Sequence, residues 1–574
     1  MTDRNTPRRW SSDVIVDLLH RYELPYAALN PGASYRGLHD SMVNYGGNKP
    51  VMMLCQHEET AVQIAHGYAK ASGKPMVAIL HNLVGLLHAN MAIYYAYADR
   101  APVFIIGATG PMDETKRRPR IDWIHTALVQ GEAVRAYTKW DYQPTVIGGV
   151  PESFARAYSV MMTEPRGPIY MCYDAWLQEQ PLEQEVPLPP ASAAKLPARL
   201  GPDPEALKKA AEMLLEAKRP VILAEFVGRE PEGFHALVEL AETLGAPVYD
   251  VNSRLNFPGR HPLNLSMVKD VFTDADLVLC LDTRDWERAT TRLVSATREL
   301  TSIVPAGARW IDIGFGDLEL SSWAMDYQRL AHADLRILAD TTLAIPALTG
   351  LLKKGGKRPL RKEVGELRDA ARARWEKEAK EDWDASPITL PRLATEVWNA
   401  IKDEDWVLSA NTLEEWTRKI WDFDRPYRHP GKSLGTATQI GISLGVALAH
   451  RDARRLVVDL QPDGDLMFDA GALWVAAKHR IPLLVVMYNN RAYYNDWEHQ
   501  IRMAKLRGTP VERAHIGMDM DDPAPDFAAL AKSMGWYAEG PINRPGDVGP
   551  ALKRAIARVK AGQPALLDTI TQKR

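Results

Sequence analysis

The chain alternates short, continuously apolar runs with longer stretches of helical period. In its first part "PMVAIL" (75–80) and "APVFIIGAT" (101–109) flank an alanine-rich segment over 89–98. The middle carries "PVILAE" (220–225), a helical pattern over 233–244, "APVYDV" (246–251), "DLVLCLD" (276–282) and "ARWIDIG" (308–314). "DWVLSAN" (405–411), "RRLVVDL" (454–460) and "IPLLVVMYN" (481–489) follow in the last part. Strands that are apolar on both faces and separated by helices predict parallel sheets covered on both sides. Two breaks divide the pattern: the proline-dense "PLEQEVPLPPASAAKLPARLGPDPE" (181–205) and the charged "KKGGKRPLRKE" (353–363). The expected fold is therefore α/β, with three doubly wound parallel-sheet domains over 1–180, 206–350 and 385–574. Such sheets bind ligands at the carboxyl ends of their strands.

Composition narrows the class without changing that picture. A length of 574 residues exceeds one ordinary domain. Hydrophobic residues make up 46% and charged residues 25%, an ordinary globular balance. With 70 basic and 73 acidic side chains the net charge is −3, which argues against a nucleic-acid surface. No run is long enough to span a bilayer, and "MTDRNTPRRW" lacks an apolar signal core, so a cytoplasmic enzyme is expected. Cys55, Cys172 and Cys280 are too scattered for a disulfide framework or a zinc cluster.

The chemistry concentrates in "QPDGDLMFDAGALWVAAKHRIPLLVVMYNN" (461–490). Read as strand, turn, helix and returning strand, it is a βαβ unit whose two loops open at the same sheet edge. Asp463 and Asn490 can then meet and offer hard oxygen ligands suited to Mg²⁺ with substrate phosphates. Gly464 permits close approach, and the amides near Asp465 and Leu466, close to a helix start, can hold phosphate oxygens. An isolated Asp-Gly pair of this kind is equally an acidic cap before a helix.

The full pattern resembles the thiamine-diphosphate-dependent enzymes, whose signature is Gly-Asp-Gly followed at this spacing by Asn-Asn. "ALWVAAKHRIP" is similar to benzoylformate decarboxylases, with acetolactate synthases close behind. Two positions depart from the signature: Pro462 replaces its first glycine, and Asp465 stands where Ser or Ala is usual. The resemblance implies Asp463 and Asn490 as side-chain ligands of Mg²⁺, with Ala492 contributing its carbonyl. A carboxylate added beside a diphosphate would repel it, so Asp465 is expected to turn away or to help hold the metal.

The same family requires a glutamate at the cofactor's aminopyrimidine, nine residues before Gly-Tyr-Ala. "CQHEETAVQIAHGYAKASGKP" places Glu58 nine before Gly67, with Tyr68 and Ala69 following. Ala61 four positions after His57 excludes a zinc-protease motif. "HPGKS" (429–433) lacks the earlier glycine of a phosphate loop, because Pro426 occupies it, and no spaced-glycine dinucleotide fingerprint occurs. In "GTATQIGISLG" (435–445) Ile440 is expected as the apolar wedge under the cofactor, while Asn411 and Thr412 are candidates for cofactor contact.

On the substrate side, His81-Asn82 followed by Gly85 aligns with the His-Ser pair and glycine turn of benzoylformate decarboxylases. His81 is the expected catalytic histidine, with His57 and His88 less specific. Ala33 replaces an active-site serine of that family, and Ser34 is adjacent. Its second histidine has no counterpart in "LDTRDWERATTR" (281–292), where Arg284, Trp286 or Arg288 stands instead. Tyr493, Tyr494 and Trp497 are expected to line a pocket for a bulky substrate.

The resemblance implies an Mg²⁺- and thiamine-diphosphate-dependent 2-oxo acid decarboxylase with carboligase capacity, working through a C2 ylide and an enamine. An acetolactate-synthase-like carboligase, a 2-hydroxyacyl-CoA lyase or a dione hydrolase is the alternative. A non-catalytic regulatory relative is disfavoured by the joint retention of Glu58, Asp463 and Asn490. The first block would hold the pyrimidine and the third the diphosphate, in a homodimer or homotetramer with sites at the subunit interface. The central block shows no glycine-rich phosphate loop.

Overall fold

The computed structural model describes residues 7–573 except 320, 322, 325–331, 410–413 and 434. Three parallel sheets organise the chain. The first holds β1 (Tyr26–Leu29), β2 (Val51–Leu54), β3 (Met76–Ile79), β4 (Val103–Thr109), β5 (Trp140–Tyr142) and β6 (Ile169–Asp174), in the order β2-β1-β3-β4-β6-β5. The second holds β7 (Pro220–Ala224), β8 (Val248–Asp250), β9 (Leu277–Leu281), β12 (Arg309–Gly314) and β13 (Leu335–Leu338), in the order β13-β12-β9-β7-β8. An antiparallel hairpin, β10 (Thr291–Val294) with β11 (Glu299–Ser302), interrupts that run and is largely exposed. The third sheet holds β14 (Trp406–Leu408), β15 (Leu456–Pro462), β16 (Leu484–Tyr488), β17 (Tyr537–Ile542) and β18 (Ala565–Thr569), in the order β14-β15-β16-β18-β17.

The apolar runs become strands because both faces are covered. β3, β4 and β6 are buried along their whole length, as are β7, β9, β16 and β18. Burial of Val, Ile and Leu on both faces supplies the main driving force, at about 25 cal/mol per Å² of apolar surface. Among the described residues no helix is long and apolar enough to cross a membrane.

Three sheets do not make three separate bodies. The second and third share one compact unit, while residues 7–198 form another together with 321, 323–324 and 441–449. Phe234 and Leu255 of the central segment share a buried cluster with Trp406, Trp421 and Phe423 of the last. In the first unit the helix Glu58–Ser72 lies against residues 441–445 at backbone contact. A Cβ on Gly67 would fall 2.0 Å from the Ile442 carbonyl oxygen, and one on Gly445 would fall 2.1 Å from that of Ile64. The glycine of the Gly-Tyr-Ala sequence is therefore a packing requirement of this helix pair.

His450 closes the helix Gln439–His450 and is buried. A helix C-terminus ordinarily favours a cation. Here burial and the neighbouring Arg455 outweigh it, and the imidazole is pushed down to about 4, with Asp405 opposing weakly. Arg455 Nη1 lies 3.1 Å from His450 Nδ1, an arrangement that needs the neutral ring's lone pair. Since the folded value lies below the ordinary 6.5, neutral His450 contributes stability above that pH, and the contribution is lost as pH falls toward about 4. Urea denaturation at a series of pH values should show a shallower loss between those limits in His450→Gln than in the wild-type chain. Equal slopes would refute this account.

Candidate active site

In the first unit, the carboxyl end of β3 and the start of the helix Glu58–Ser72 assemble one group of side chains. His57 caps the helix, its Nδ1 accepting from the Glu59 amide at 3.2 Å. Glu58 follows in the first turn, where the helix dipole favours a carboxylate, yet its side chain is buried. Its Oε2 lies 3.2 Å from His88 Nδ1, and the rings of His57 and His88 stack at 4.8 Å. Burial, with His88 adding to it, lowers the basicity of His57. The ligand atoms of His57, Glu58 and His88 all lie within 4.8 Å of one another, a donor set suited to a transition metal and not to Mg²⁺.

His81 stands beside this group. Ser34 Oγ is 2.8 Å from His81 Nδ1 and accepts from the Asn82 amide at 3.1 Å. Ser34 is itself buried and positioned by Gln178, whose Nε2 donates to the Ser34 carbonyl at 3.2 Å. Ala33 is exposed. Burial and then His125, whose ring lies 6.0 Å from that of His81, lower the basicity of His81, with Glu58 opposing. Asn82 precedes the helix Leu83–Ala98, and its Oδ1 is buried without a protein partner. Two glycines make the room. A Cβ on Gly32 would fall 2.4 Å from His81 Nδ1, and one on Gly85 would fall 2.8 Å from Glu58 Oε1.

The second unit holds the acidic turn. Pro462 pairs with Tyr488 across β15 and β16, so Asp463 and Asn490 leave adjacent strand ends. The expected turn is a short helix, Asp463–Phe468, and the expected single helix after it is confined to Ala472–Lys478. The helix therefore starts at Asp463 itself, two residues earlier than the amides singled out from sequence. Asp463 Oδ2 accepts from the Ala492 amide at 3.2 Å, and Asn490 Oδ1 accepts from the same amide at 3.0 Å. Burial pushes the Asp463 carboxyl up to about 6, against the lowering effect of the amides of Gly464, Arg491 and Ala492. Among the described residues it has no ion-pair partner. A buried carboxylate already gathered by amides and short of a cation is the fit expected for a divalent ion.

The two asparagines divide the work. Asn489 donates through Nδ2 to Asp568 Oδ1 at 2.9 Å and ties β16 to β18, which leaves Asn490 to face Asp463. Asp465 is held by other partners. Its carboxylate accepts from the amides of Ala437 at 2.8 Å and Gln439 at 3.3 Å and from Gln461 Nε2 at 3.2 Å. It thus fixes a bend in which Thr436 and Ala437 take positive φ, of 48° and 73°. Gln439 donates to Asp459 Oδ1 at 2.6 Å and to the Leu460 carbonyl at 2.7 Å, and Ile440 behind it is fully buried. Leu466 is likewise buried.

Tyr493 lies on Gly464, where a Cβ would fall 2.7 Å from Tyr493 Cε1. Burial, then Asp463 and Asp465, raise the Tyr493 phenol above its ordinary range. Tyr494 and Trp497 instead form a separate aromatic group with His515, and Lys573 Nζ lies 4.1 Å from the Trp497 ring centre. Trp286 stacks on Trp310 at 5.3 Å, and the Arg284 guanidinium lies over Phe226 at 4.6 Å, so both serve central-domain packing. Asn411 and Thr412 lie outside the described residues. Sequence reasoning missed His125 and the Gln439–Asp459 pair, because partners 44 and 20 positions away leave no local signal.

Comparison with known proteins gives three matched domain models: the N-terminal TPP-binding domain of thiamine pyrophosphate enzymes over residues 9–132, the central domain over 207–314 and the C-terminal TPP-binding domain over 412–569. The chain is 25% identical over 542 residues to a benzoylformate decarboxylase of Pseudomonas aeruginosa, covering 91% of this chain and 92% of that protein. It is 24% identical over 579 residues to a probable acetolactate synthase large subunit of Methanocaldococcus jannaschii, covering 94% and 88%. The crystal structure of benzoylformate decarboxylase from Polynucleobacter necessarius matches with a TM-score of 0.79 at 19% identity, over 99% of each chain.

Asp463→Ala removes the cation-deficient carboxylate and should abolish measurable binding of Mg²⁺ with thiamine diphosphate while the far-UV circular dichroism stays native. Calorimetry giving wild-type affinity in that variant would overturn the metal assignment.

Proposed function

We propose that this chain, a member of the thiamine-diphosphate-dependent enzyme superfamily, is an Mg²⁺-dependent decarboxylase of 2-oxo acids with carboligase capacity. The observation that carries this reading is the pair of buried carboxylates, Glu58 at a helix start and Asp463 at a strand end, each in its motif. When bound, thiamine diphosphate supplies a carbon nucleophile for the 2-oxo carbonyl and an electron sink for the bond to CO₂.

The protein's own residues account for the rest. Asp463 and Asn490, with the Ala492 carbonyl, would hold Mg²⁺, and the amides of Gly464, Asp465 and Leu466 would face the diphosphate. Glu58, withdrawn from water, would hold a proton at the pyrimidine ring nitrogen. Ile440 would supply an apolar support, and Tyr493 would close the site over Gly464. At His81, Ser34 Oγ accepts from the Asn82 amide and lies 2.8 Å from Nδ1. In the tautomer in which the hydroxyl donates to Nδ1, the ring would carry its proton on Nε2 and could serve the substrate carboxylate or protonate a carbanion. The domain roles follow: pyrimidine binding in 1–180 and diphosphate binding in 385–574, with 206–350 between them.

Two copies of the chain would share each site. Trp123 and Leu128 of the first unit are 78% and 70% exposed, which is unfavourable for large apolar side chains unless another subunit covers them.

A panel of 2-oxo acids that includes benzoylformate, supplied with Mg²⁺ and thiamine diphosphate, tests the reaction through CO₂ release and aldehyde or acyloin products. No CO₂ from any member would refute it. Glu58→Gln should slow deuterium exchange at the cofactor's C2 position by about a hundredfold or more. His81→Ala should leave that exchange nearly intact while changing turnover. Subunit exchange between Glu58→Gln and Asp463→Ala chains should recover activity, since one site of each mixed pair is then intact, and its failure would exclude the shared site.

A further inference from the structure

The second unit contains a cleft that none of the proposed catalytic residues lines. A cavity of about 550 Å³ opens between the helix Lys362–Glu378 with the turn after it and the helix Glu414–Ile420. That volume is typical of a small-molecule site. Its walls combine the indoles of Trp375 and Trp383 with the cations Arg260, Arg372, Lys380 and Lys419, against a single lining carboxylate, Glu376.

The decisive group is Arg372. It is only partly exposed, and among the described residues its one hydrogen bond runs from Nη2 to the Gly259 carbonyl at 3.3 Å. Among the described residues no carboxylate lies within ion-pair distance of it. The nearby acids are engaged elsewhere or remote: Asp369 pairs with Arg368 at 2.7 Å, and Asp422 faces Arg260 at 4.0 Å. Lys419 is held by Glu415 at 2.7 Å, whereas the exposed Lys380 ammonium has no partner among the described residues. Burial together with Arg260 and Arg368 disfavours the charged form of Arg372, with Asp422 and Asp369 opposing more weakly. A fully solvated cation on a charged helix would not carry that penalty. A guanidinium half withdrawn from water and crowded by like charges is relieved by an anion, which its planar fork can bind bidentately.

The indoles narrow the ligand. Arg392 covers the Trp383 ring at 4.2 Å, and the cleft is flanked by Trp375, Ala379 and Ile420, which offer a flat apolar body somewhere to lie. We propose that this cleft binds a small aromatic carboxylate, its charge on Arg372 and Lys380 and its ring among the tryptophans. The site is separate from the residues assigned to the reaction, and the inference does not depend on that reaction.

Titration calorimetry of the full chain with benzoate tests it, with neutral benzamide as the isostere. Benzoate is expected to saturate one site, to weaken with salt, and to lose about tenfold or more in affinity in Arg372→Gln. Lys380→Met, at an exposed position where folding is not at risk, should weaken it to a lesser degree, and benzamide should not displace it. His81→Ala should bind benzoate as the wild type does. Wild-type affinity in both Arg372→Gln and Lys380→Met overturns the proposal, as does benzamide binding equally well. Loss in His81→Ala with retention in Arg372→Gln would place the anion at the proposed catalytic site and also overturn it.

Discussion

A carboxylate removed from water must find charge or hydrogen bonds elsewhere, and the arrangement around Asp463 follows from that requirement. The register that pairs Pro462 with Tyr488 brings the ends of β15 and β16 together. Amides from the loop after β16 then converge on the carboxylate, but they do not offset its burial. Its neighbours are arranged so as not to interfere. Asn489 is engaged by Asp568, and Asp465 is engaged by the backbone of the 437–439 bend. The second carboxylate of "DGD", which looks electrostatically out of place beside a diphosphate, thus acts as a backbone clamp.

The other carboxylate depends on close approach. Glu58 opens a helix whose position is set by glycines on its far side: Gly67 meets the Ile442 carbonyl, and Gly441 and Gly445 meet Gln63 and Ile64. At Gly67 and Gly445 no side chain can stand between the backbones, and Gly441 leaves room for the Gln63 side chain. On the near side, Gly85 and Gly32 leave space for Glu58 and His81. A methyl group at any of these positions would displace a functional side chain or the helix that carries it. The motif glycines are therefore steric conditions on where the acid and the imidazole sit.

Much of this was legible in the chain. The largely apolar runs at 76–79, 103–109, 277–281, 309–314, 456–460 and 484–488 are strands, and their apolar residues suit a parallel sheet covered on both faces. β1, β2, β5, β6, β13, β17 and β18 were not anticipated. Of these, β2, β5, β13 and β17 pair at sheet edges, where sequences such as "WDY" and "YAEGPI" need not be apolar on both faces. The pairing of the second and third sheets in one unit was also invisible, because Phe234 and Trp406 meet only across a long sequence separation. The three aromatic residues after Asn490 read as one pocket wall, but helix geometry sends Tyr493 toward Gly464 and Trp497 toward His515.

The sequence by itself determined the fold class, the two cofactor motifs and the identity of the acids at their centres. These are local properties: a period of apolar residues, or a spacing within one helix or one βαβ unit, is written in consecutive positions. Only the tertiary structure decided what each charge does. Whether Asp465 repels a diphosphate or clamps a bend, how basic His81 is, and whether Arg372 is solvated or stranded depend on burial and on partners remote in sequence. Desolvation and pairing are properties of a place in the fold, and no stretch of residues carries them alone.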